Sequence, residues 1–526
     1  MKQKSFFFFR TPVLCVFLFL CVISSSLFHA MRVVWVFYNP ATFFLGGARG
    51  VFCLSLLAVA VLILLTALKF YKPEATQKRQ KLFKALGIIS GVLTAVLTVV
   101  DIVVLIFSGV ETDYAIMLYL KRDLPYIFAF LAVLILVLFL PKLKGKLRNA
   151  LAITVCACIV LSCLSFAFPL SLYRFVSDPL VIDTGKDYSV VFATNDCGTA
   201  FVKYNYGGKE YKTYAANCGR RIGDRLIHSI NVPYEHLKNN SYEVGSTHII
   251  EEYSYGSWLG RTISSGQYNF KVNEGKEQSF LVVSDWHCAL GAAKKAVAEL
   301  GDYDSVIMLG DPAAGMDFEE EAAKNLVGFG GDISHGEKPV IYVRGNHETR
   351  GAFANRLPDY LGLESLYYST RFGDYSFLVL DSNEDKEDEH IEYGSMNDYS
   401  LYRRQMLSWL NEQPKSEGKL IVLSHDWYIS RPELDVSRAA WDKIDELGAR
   451  FVISGHTHKC EFLDDSEEEN KAEYLKAYPS VTTYFDGGHK GNSYYIASKL
   501  TLTPSGAHFE AADNKGERIM DKTLKW

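Results

Sequence analysis

Hydrophobic and polar positions change rhythm twice along this chain. Five nearly unbroken apolar runs, Pro12 to Ala30, Val51 to Phe70, Ala85 to Val110, Pro125 to Leu140 and Ala150 to Phe168, are each close to the roughly 20 residues that cross about 30 Å of hydrocarbon. From about Leu180 to Val272 the pattern becomes short alternating runs rich in Val, Tyr, Thr and Ile, punctuated by Gly-Gly, Asn-Asn and Pro, which predicts antiparallel strands. The strand candidates are Tyr188 to Ala193, Ala200 to Tyr206, Lys209 to Ala215, His228 to Val232, Tyr242 to Tyr253 and Gly266 to Val272. From Gln278 onward, apolar runs (Phe280 to Val283, Ser305 to Leu309, Val340 to Val343, Ser376 to Leu380, Leu420 to Leu423, Phe451 to Ile453) alternate with stretches apolar at every third or fourth position (Ala292 to Leu300, Phe318 to Val327, Leu401 to Asn411). That alternation predicts a layered α/β domain closed by strands from Tyr494 onward. The expected order is a multi-pass α-helical membrane region of about five spans over 1–173, an all-β sandwich over 174–275 and the α/β domain over 276–526.

Charge orients this arrangement. Lys2, Lys4 and Arg10 precede the first run; Lys69, Lys72, Lys78, Arg79, Lys81 and Lys84 lie between the second and third; Lys142, Lys144, Lys146 and Arg148 lie between the fourth and fifth. The positive-inside rule then places the N-terminus in the cytoplasm and everything after Phe168 outside the cell membrane. If the first run were instead a cleaved signal peptide, the C-terminal domains would still lie outside, although Leu27-Phe28-His29-Ala30 is a poor cleavage site. The segment Val33 to Gly47, with its Asn39-Pro40, is short and is expected to fold back at the interface. Asp101, inside the third run, reads first as a helix-packing carboxylate and second as part of an ion path. A net charge of -5 gives no electrostatic case for nucleic acid as a partner. Six of ten cysteines fall in apolar runs, while Cys197, Cys218, Cys288 and Cys460 lie outside them and are free to form two bridges or to remain thiols.

The candidate chemistry sits at the ends of the C-terminal strands. Asp285-Trp286-His287, Gly310-Asp311, Gly345-Asn346-His347-Glu348, His425 and Gly455-His456-Thr457-His458 each follow an apolar run. Taken alone, each has a bland reading as a turn, a cap or a structural histidine. Together they supply two carboxylates, an amide and several imidazoles where open α/β sheets collect ligands, the inventory for a pair of divalent transition metals. The acidic runs Glu384 to Glu389 and Asp464 to Glu469 lack calcium-loop spacing and read as solvated loops. The 174–275 stretch carries no such cluster and reads as a spacer or a wall that orients substrate.

This series resembles the calcineurin-like metallophosphoesterase superfamily over roughly Ser279 to Lys490, with Phe372-Gly373-Asp374-Tyr375-Ser376, Gln405, Trp409-Leu410 and Leu423-Ser424-His425 in the matching order. The resemblance implies that Asp285, His287 and His458 hold one metal and Asn346, His425 and His456 a second, with Asp311 bridging. It implies that His347 is the catalytic histidine and that phosphate esters are hydrolysed by a metal-bridged hydroxide. Asp332 in Gly330-Gly331-Asp332 is a weaker candidate for the bridge, because it follows a helical stretch. Glu348 or a nearby acid is expected to orient His347, and Arg344 and Arg350 to serve in salt bridges more than on phosphate. The sandwich ahead of the domain, and Tyr428 after His425, are similar to purple acid phosphatases. Ala314 stands where those enzymes carry an iron-binding tyrosine, and His287 is present where they lack a histidine. Mn, Zn or Fe(II) are therefore the expected metals, without tyrosinate chemistry. The expected substrate is a nucleotide, a sugar phosphate or a lipid-linked phosphate, met at a lipid bilayer. The alternatives are a non-catalytic surface receptor or adhesion protein that retains the fold, and a transporter with an accessory phosphatase domain.

Overall fold

The computed structural model describes Gln77 and residues 173–526, less 254–255, 394–395, 417–418 and 492. The five apolar runs, Asp101 and the six cysteines within the runs lie outside the described residues. Among the described residues no helix is long and apolar enough to cross a membrane. For the described residues this corrects the expectation of a multi-pass helical fold class. The continuous helical run 319–334 reaches only about 24 Å at 1.5 Å per residue, short of about 30 Å of hydrocarbon. The 14-residue helix Tyr399–Glu412 carries Arg403, Arg404 and Glu412. The described residues are instead dominated by β-sheet.

Two sheets carry the strand-end motifs. In one, the strands run in the order Arg518–Lys525, Gly506–Asp513, Tyr495–Thr503, Gln278–Val283, Ser305–Met308, Pro339–Tyr342, Leu180–Asp183, Asp187–Ala193 and Ile227–Pro233. In the other the order is Tyr368–Phe372, Tyr375–Leu380, Lys419–Ser424, Ala449–Ser454, Thr482–Phe485 and Glu461–Phe462. Apolar faces of both sheets meet in one core through Phe280, Val306, Ile341, Phe377, Ile421 and Ile453. Helices Leu290–Ala298 and 319–334 cover the first sheet with Ala293, Ala296, Phe329 and Ile333. Helices Tyr399–Glu412 and Leu434–Glu446 cover the second with Met406, Leu410, Ala440 and Trp441. Strands buried on both faces explain why the sequence shows solid apolar runs here instead of alternation.

The expected free-standing sandwich is also corrected. Strands Gly198–Tyr206, Lys209–Tyr214, Ser241–Tyr253 and Tyr268–Asn269 form a separate sheet. It packs Ala200, Val202 and Val244 on Val190, Phe192, Ile230 and Val232. The opposing layer belongs to the large sheet, because Leu180–Asp183 pairs in parallel with Pro339–Tyr342 through Val181↔Pro339 and Ile182↔Val340. Four consecutive buried residues, LVID, carry no period that distinguishes one sheet from another.

His228, in strand Ile227–Pro233, is wholly buried, with Nε2 2.9 Å from Thr194 Oγ1. Burial pushes its imidazole down to about 3, with Arg225 adding to the shift. The unfolded chain takes up a proton below about 6.5 that the folded chain refuses. This contribution is therefore intact above that pH and is lost as pH falls toward 3. His228→Gln is expected to flatten the acid limb of a urea-melt stability curve between pH 6 and pH 4; an unchanged limb would refute it.

Candidate metal centre

Strands Gln278–Val283, Ser305–Met308 and Pro339–Tyr342 are mutually parallel, as are Lys419–Ser424, Ala449–Ser454 and Thr482–Phe485. The loops after them carry Asp285 and His287, Asp311, Asn346 and His347, His425, His456 and His458, and Gly487-Gly488-His489. Parallel strands bring all of these loops to carboxyl ends. Asp285 (φ 47°), His287 (36°), Asp311 (59°), His456 (66°) and His458 (55°) all occupy the left-handed region. Such strain persists only where surrounding contacts over-determine it, and it concentrates at functional sites.

Two glycines let backbone approach the carboxylates. A Cβ on Gly345 would lie 2.2 Å from Asp311 Oδ1, and one on Gly455 2.6 Å from Asp285 Oδ2. Neither acid has room to retreat, since both are buried. Gly345→Ala is therefore expected to displace Asp311 and cut activity by at least about tenfold, through misplacement of a ligand by a fraction of an ångström. Wild-type activity in a folded Gly345→Ala protein would contradict this geometry.

The seven expected ligands converge. Asp285 Oδ1 lies 3.3 Å from His458 Nε2 and 3.9 Å from both His287 Nε2 and His425 Nε2. Asp311 Oδ2 lies 3.2 Å from His425 Nε2, 3.7 Å from His287 Nε2 and 3.8 Å from His347 Nε2. Three groups have ligand atoms within 4.8 Å of one another: Asp285, His287 and His458; Asp311, His425 and His456; and His287, Asp311 and His347. Backbone carbonyls fix the imidazole tautomers. His425 Nδ1 is 2.5 Å from the Leu309 carbonyl and His458 Nδ1 2.6 Å from the His489 carbonyl. A carbonyl only accepts, so each Nδ1 donates and each Nε2 faces the cluster, the orientation of histidine metal ligation.

A buried orphan oxygen fits this donor set to cations. Asp285 Oδ1 is buried without a hydrogen-bond partner. One tip of the Asn346 amide is 3.2 Å from each of His456 Nδ1, His425 Nε2 and Asp311 Oδ2, which places this side chain within the same cluster. Electrostatics agree. Burial works to raise Asp311, yet His425, His347 and His287 hold it below the usual carboxylate range. Burial works to lower His425, yet Asp311 and Asp285 lift it well above an ordinary histidine. The pocket draws positive charge onto itself.

Supporting contacts differ from the sequence reading in several places. His347 is oriented by the Ala314 carbonyl, 3.0 Å from its Nδ1. Glu348 instead accepts from the Asp311 backbone N–H at 3.0 Å and the Tyr342 hydroxyl at 2.8 Å. Burial, and then Asp311, push the Glu348 carboxyl up to about 7. Asp332 pairs with Lys294 on the helices and is not part of the cluster. Arg344 and Arg350 do form salt bridges, with Asp381 and Glu384. Glu384 is buried and not a solvated loop residue. Cys197, Cys218, Cys288 and Cys460 are free thiols. One residue at the site was missed. The His489 ring lies 5.4 Å from His287 and 5.8 Å from His458 by centroids, and its backbone N–H donates to the Asp285 carbonyl at 3.1 Å. The same strand-end signal is present in Gly487-Gly488-His489 after Thr482–Phe485, but Thr-Thr-Tyr-Phe is half polar and gives no clear strand pattern.

Residues 279–460 match the family model of the calcineurin-like phosphoesterases. They are a calcineurin-like phosphoesterase domain. Among solved structures, one titled PhoD aligns over 67% of this chain and 94% of its own at 13% identity and TM-score 0.40. A dimetal phosphatase from Danio rerio aligns over 47% and 99% at 12% identity and TM-score 0.35. A metallophosphoesterase from Sphaerobacter thermophilus aligns over 48% and 89% at 14% identity and TM-score 0.23. No curated protein matches the chain. The family match supports a phosphoester hydrolase and implies a phosphate-ester substrate, and the His and Asp groups of the domain are candidate ligands for the divalent metals the family typically binds.

Proposed function

We propose that the phosphoesterase domain hydrolyses its ester at a two-metal centre, with Asp285, His287 and His458 on one cation, Asn346, His425 and His456 on the other, and Asp311 between them. The observation that carries this reading is the gathering of Asp285, His287 and His458, and of Asp311, His425 and His456, with ligand atoms within 4.8 Å of one another beside the partnerless Asp285 Oδ1. Divalent Mn, Zn or Fe there supplies Lewis acidity toward water and toward the phosphoryl oxygens.

The chain's own groups do the rest. Asp311 takes the backbone N–H of His347 on Oδ1 at 3.0 Å, so the bridging carboxylate and the catalytic candidate are fixed to one another. His347 Nδ1 donates to the Ala314 carbonyl, so that in the imidazolium form the proton on Nε2 passes to the departing ester oxygen and leaves neutral imidazole. The His347 side chain keeps 26% exposure while Asp311 keeps 2%, so the imidazole is open to substrate and the carboxylate is not.

The test is to strip metal from the full chain with a chelator and restore it with Mn, following hydrolysis of p-nitrophenyl and bis-p-nitrophenyl phosphate. Activity on at least one ester is expected to vanish and return. His347→Ala is expected to lower kcat by about 10²- to 10⁴-fold with metal content unchanged. Chelator-insensitive hydrolysis, or a His347→Ala protein with wild-type kcat, would overturn the assignment.

A further inference from the structure

Charge around the cluster is distributed unevenly in a way that bears on which ester fits. A phosphomonoester carries close to two negative charges at neutral pH, with a second pKa near 6. A phosphodiester carries one. Sites that hold the dianion commonly place a free guanidinium or ammonium on the phosphoryl oxygens.

Here the neighbouring guanidinium groups are committed elsewhere. Arg350 donates from Nε to Glu384 Oε2 and from Nη2 to Glu384 Oε1, both at 2.8 Å. Arg344 Nη2 pairs with Asp381 Oδ2 at 2.7 Å. Arg431 is held by Asp426. The Lys459 ammonium lies between Glu461 and Glu468, at 3.8 and 3.9 Å. Lys490 is on the exposed turn beyond His489. The groups beside the ligands are imidazoles. His347 meets the His287 ring edge-on at 4.8 Å between centroids, and His489 lies against both His287 and His458.

From this arrangement we infer that the site prefers phosphodiester monoanions to phosphomonoester dianions, with the His347 and His489 side chains meeting the two ester arms. The inference rests on the hydrolase reading above and adds substrate class to it. Glu384 is what withholds the nearest guanidinium. Arg350 Nη2 lies 3.1 Å from the second tip of Asn346, so freeing its charge would add a cation beside a ligand.

The experiment compares kcat/KM for bis-p-nitrophenyl and p-nitrophenyl phosphate, which share a leaving group, on the Mn-loaded full chain. The diester is expected to be favoured by about tenfold or more at pH 7.5, because no free guanidinium adds to the metals' hold on the second charge of the dianion. The preference should shrink below about pH 6, where the monoester becomes a monoanion. Glu384→Gln, which frees Arg350, is expected to move the ratio toward the monoester, and His489→Ala to lower kcat/KM on the diester more than on the monoester. Equal or better hydrolysis of the monoester by the wild type would overturn the inference while leaving the hydrolase reading intact. An unmoved ratio in both folded variants would remove the structural basis given for it. Hydrolysis of neither ester with metal bound would sink both readings.

Discussion

Asp311→Ala is expected to abolish hydrolysis, by at least about a thousandfold, and to reduce the divalent metal bound per chain. The effect should exceed that at any other single ligand because Asp311 and His287 each belong to two of the three ligand groups, and of the two only Asp311 brings a negative charge. Its Oδ2 is the carboxylate oxygen nearest His425 Nε2, at 3.2 Å, and also approaches His287 and His347. Alanine removes the charge that ties these groups together and releases the His347 backbone N–H that Oδ1 accepts. Asp311→Asn separates the two losses, since it preserves the shape and an acceptor but not the charge. Elemental analysis with activity measured on the same sample decides the matter. A variant that keeps full metal and full activity would eliminate Asp311 as the bridge.

The largest stability effect is expected away from the cluster, at Arg344→Leu. Arg344 keeps 8% side-chain exposure and Asp381 none. The Asp381 carboxylate accepts Arg344 Nε at 3.3 Å, the Tyr402 hydroxyl at 3.0 Å and the Asn383 backbone N–H at 2.9 Å. Removing the cation leaves Asp381 charged, buried and without its opposite charge, which costs about 3–5 kcal/mol. Replacing both partners removes the stranded charge, so Arg344→Leu with Asp381→Leu should be milder than Arg344→Leu alone. Urea melts of the three proteins measure this. A single variant that loses less than about 1 kcal/mol, the range of an exposed ion pair, would show that the pair is solvated.

The cluster was more legible in sequence than the scaffold around it, and local geometry explains the difference. A ligand after a strand announces itself through residue type and the apolar run before it, as with Asp285, Asp311 and His425. Those signals survive whatever the rest of the chain does. His489 carried the same signature, but Thr-Thr-Tyr-Phe is short and half polar, so the strand ahead of it left no clear pattern. Contacts between distant segments left no local signal at all. The Ala314 carbonyl that orients His347, and the Arg350 that fills the Glu384 carboxylate, are chosen by how loops stack. Glu384 sits in a run of acids, and composition there pointed to solvent.

The sequence alone determined the ligand types, their order and their attachment to successive strand ends, because parallel strands must present their following loops on one side. It also determined the solid apolar runs of the double-sheet core. Only the tertiary structure decided that Leu180–Asp183 joins the catalytic sheet, that backbone carbonyls turn the Nε2 atoms of His425 and His458 inward, and that the neighbouring arginines are spent on buried carboxylates. Each depends on pairing between segments far apart in the chain, where a buried polar group takes whichever partner the packing brings to it.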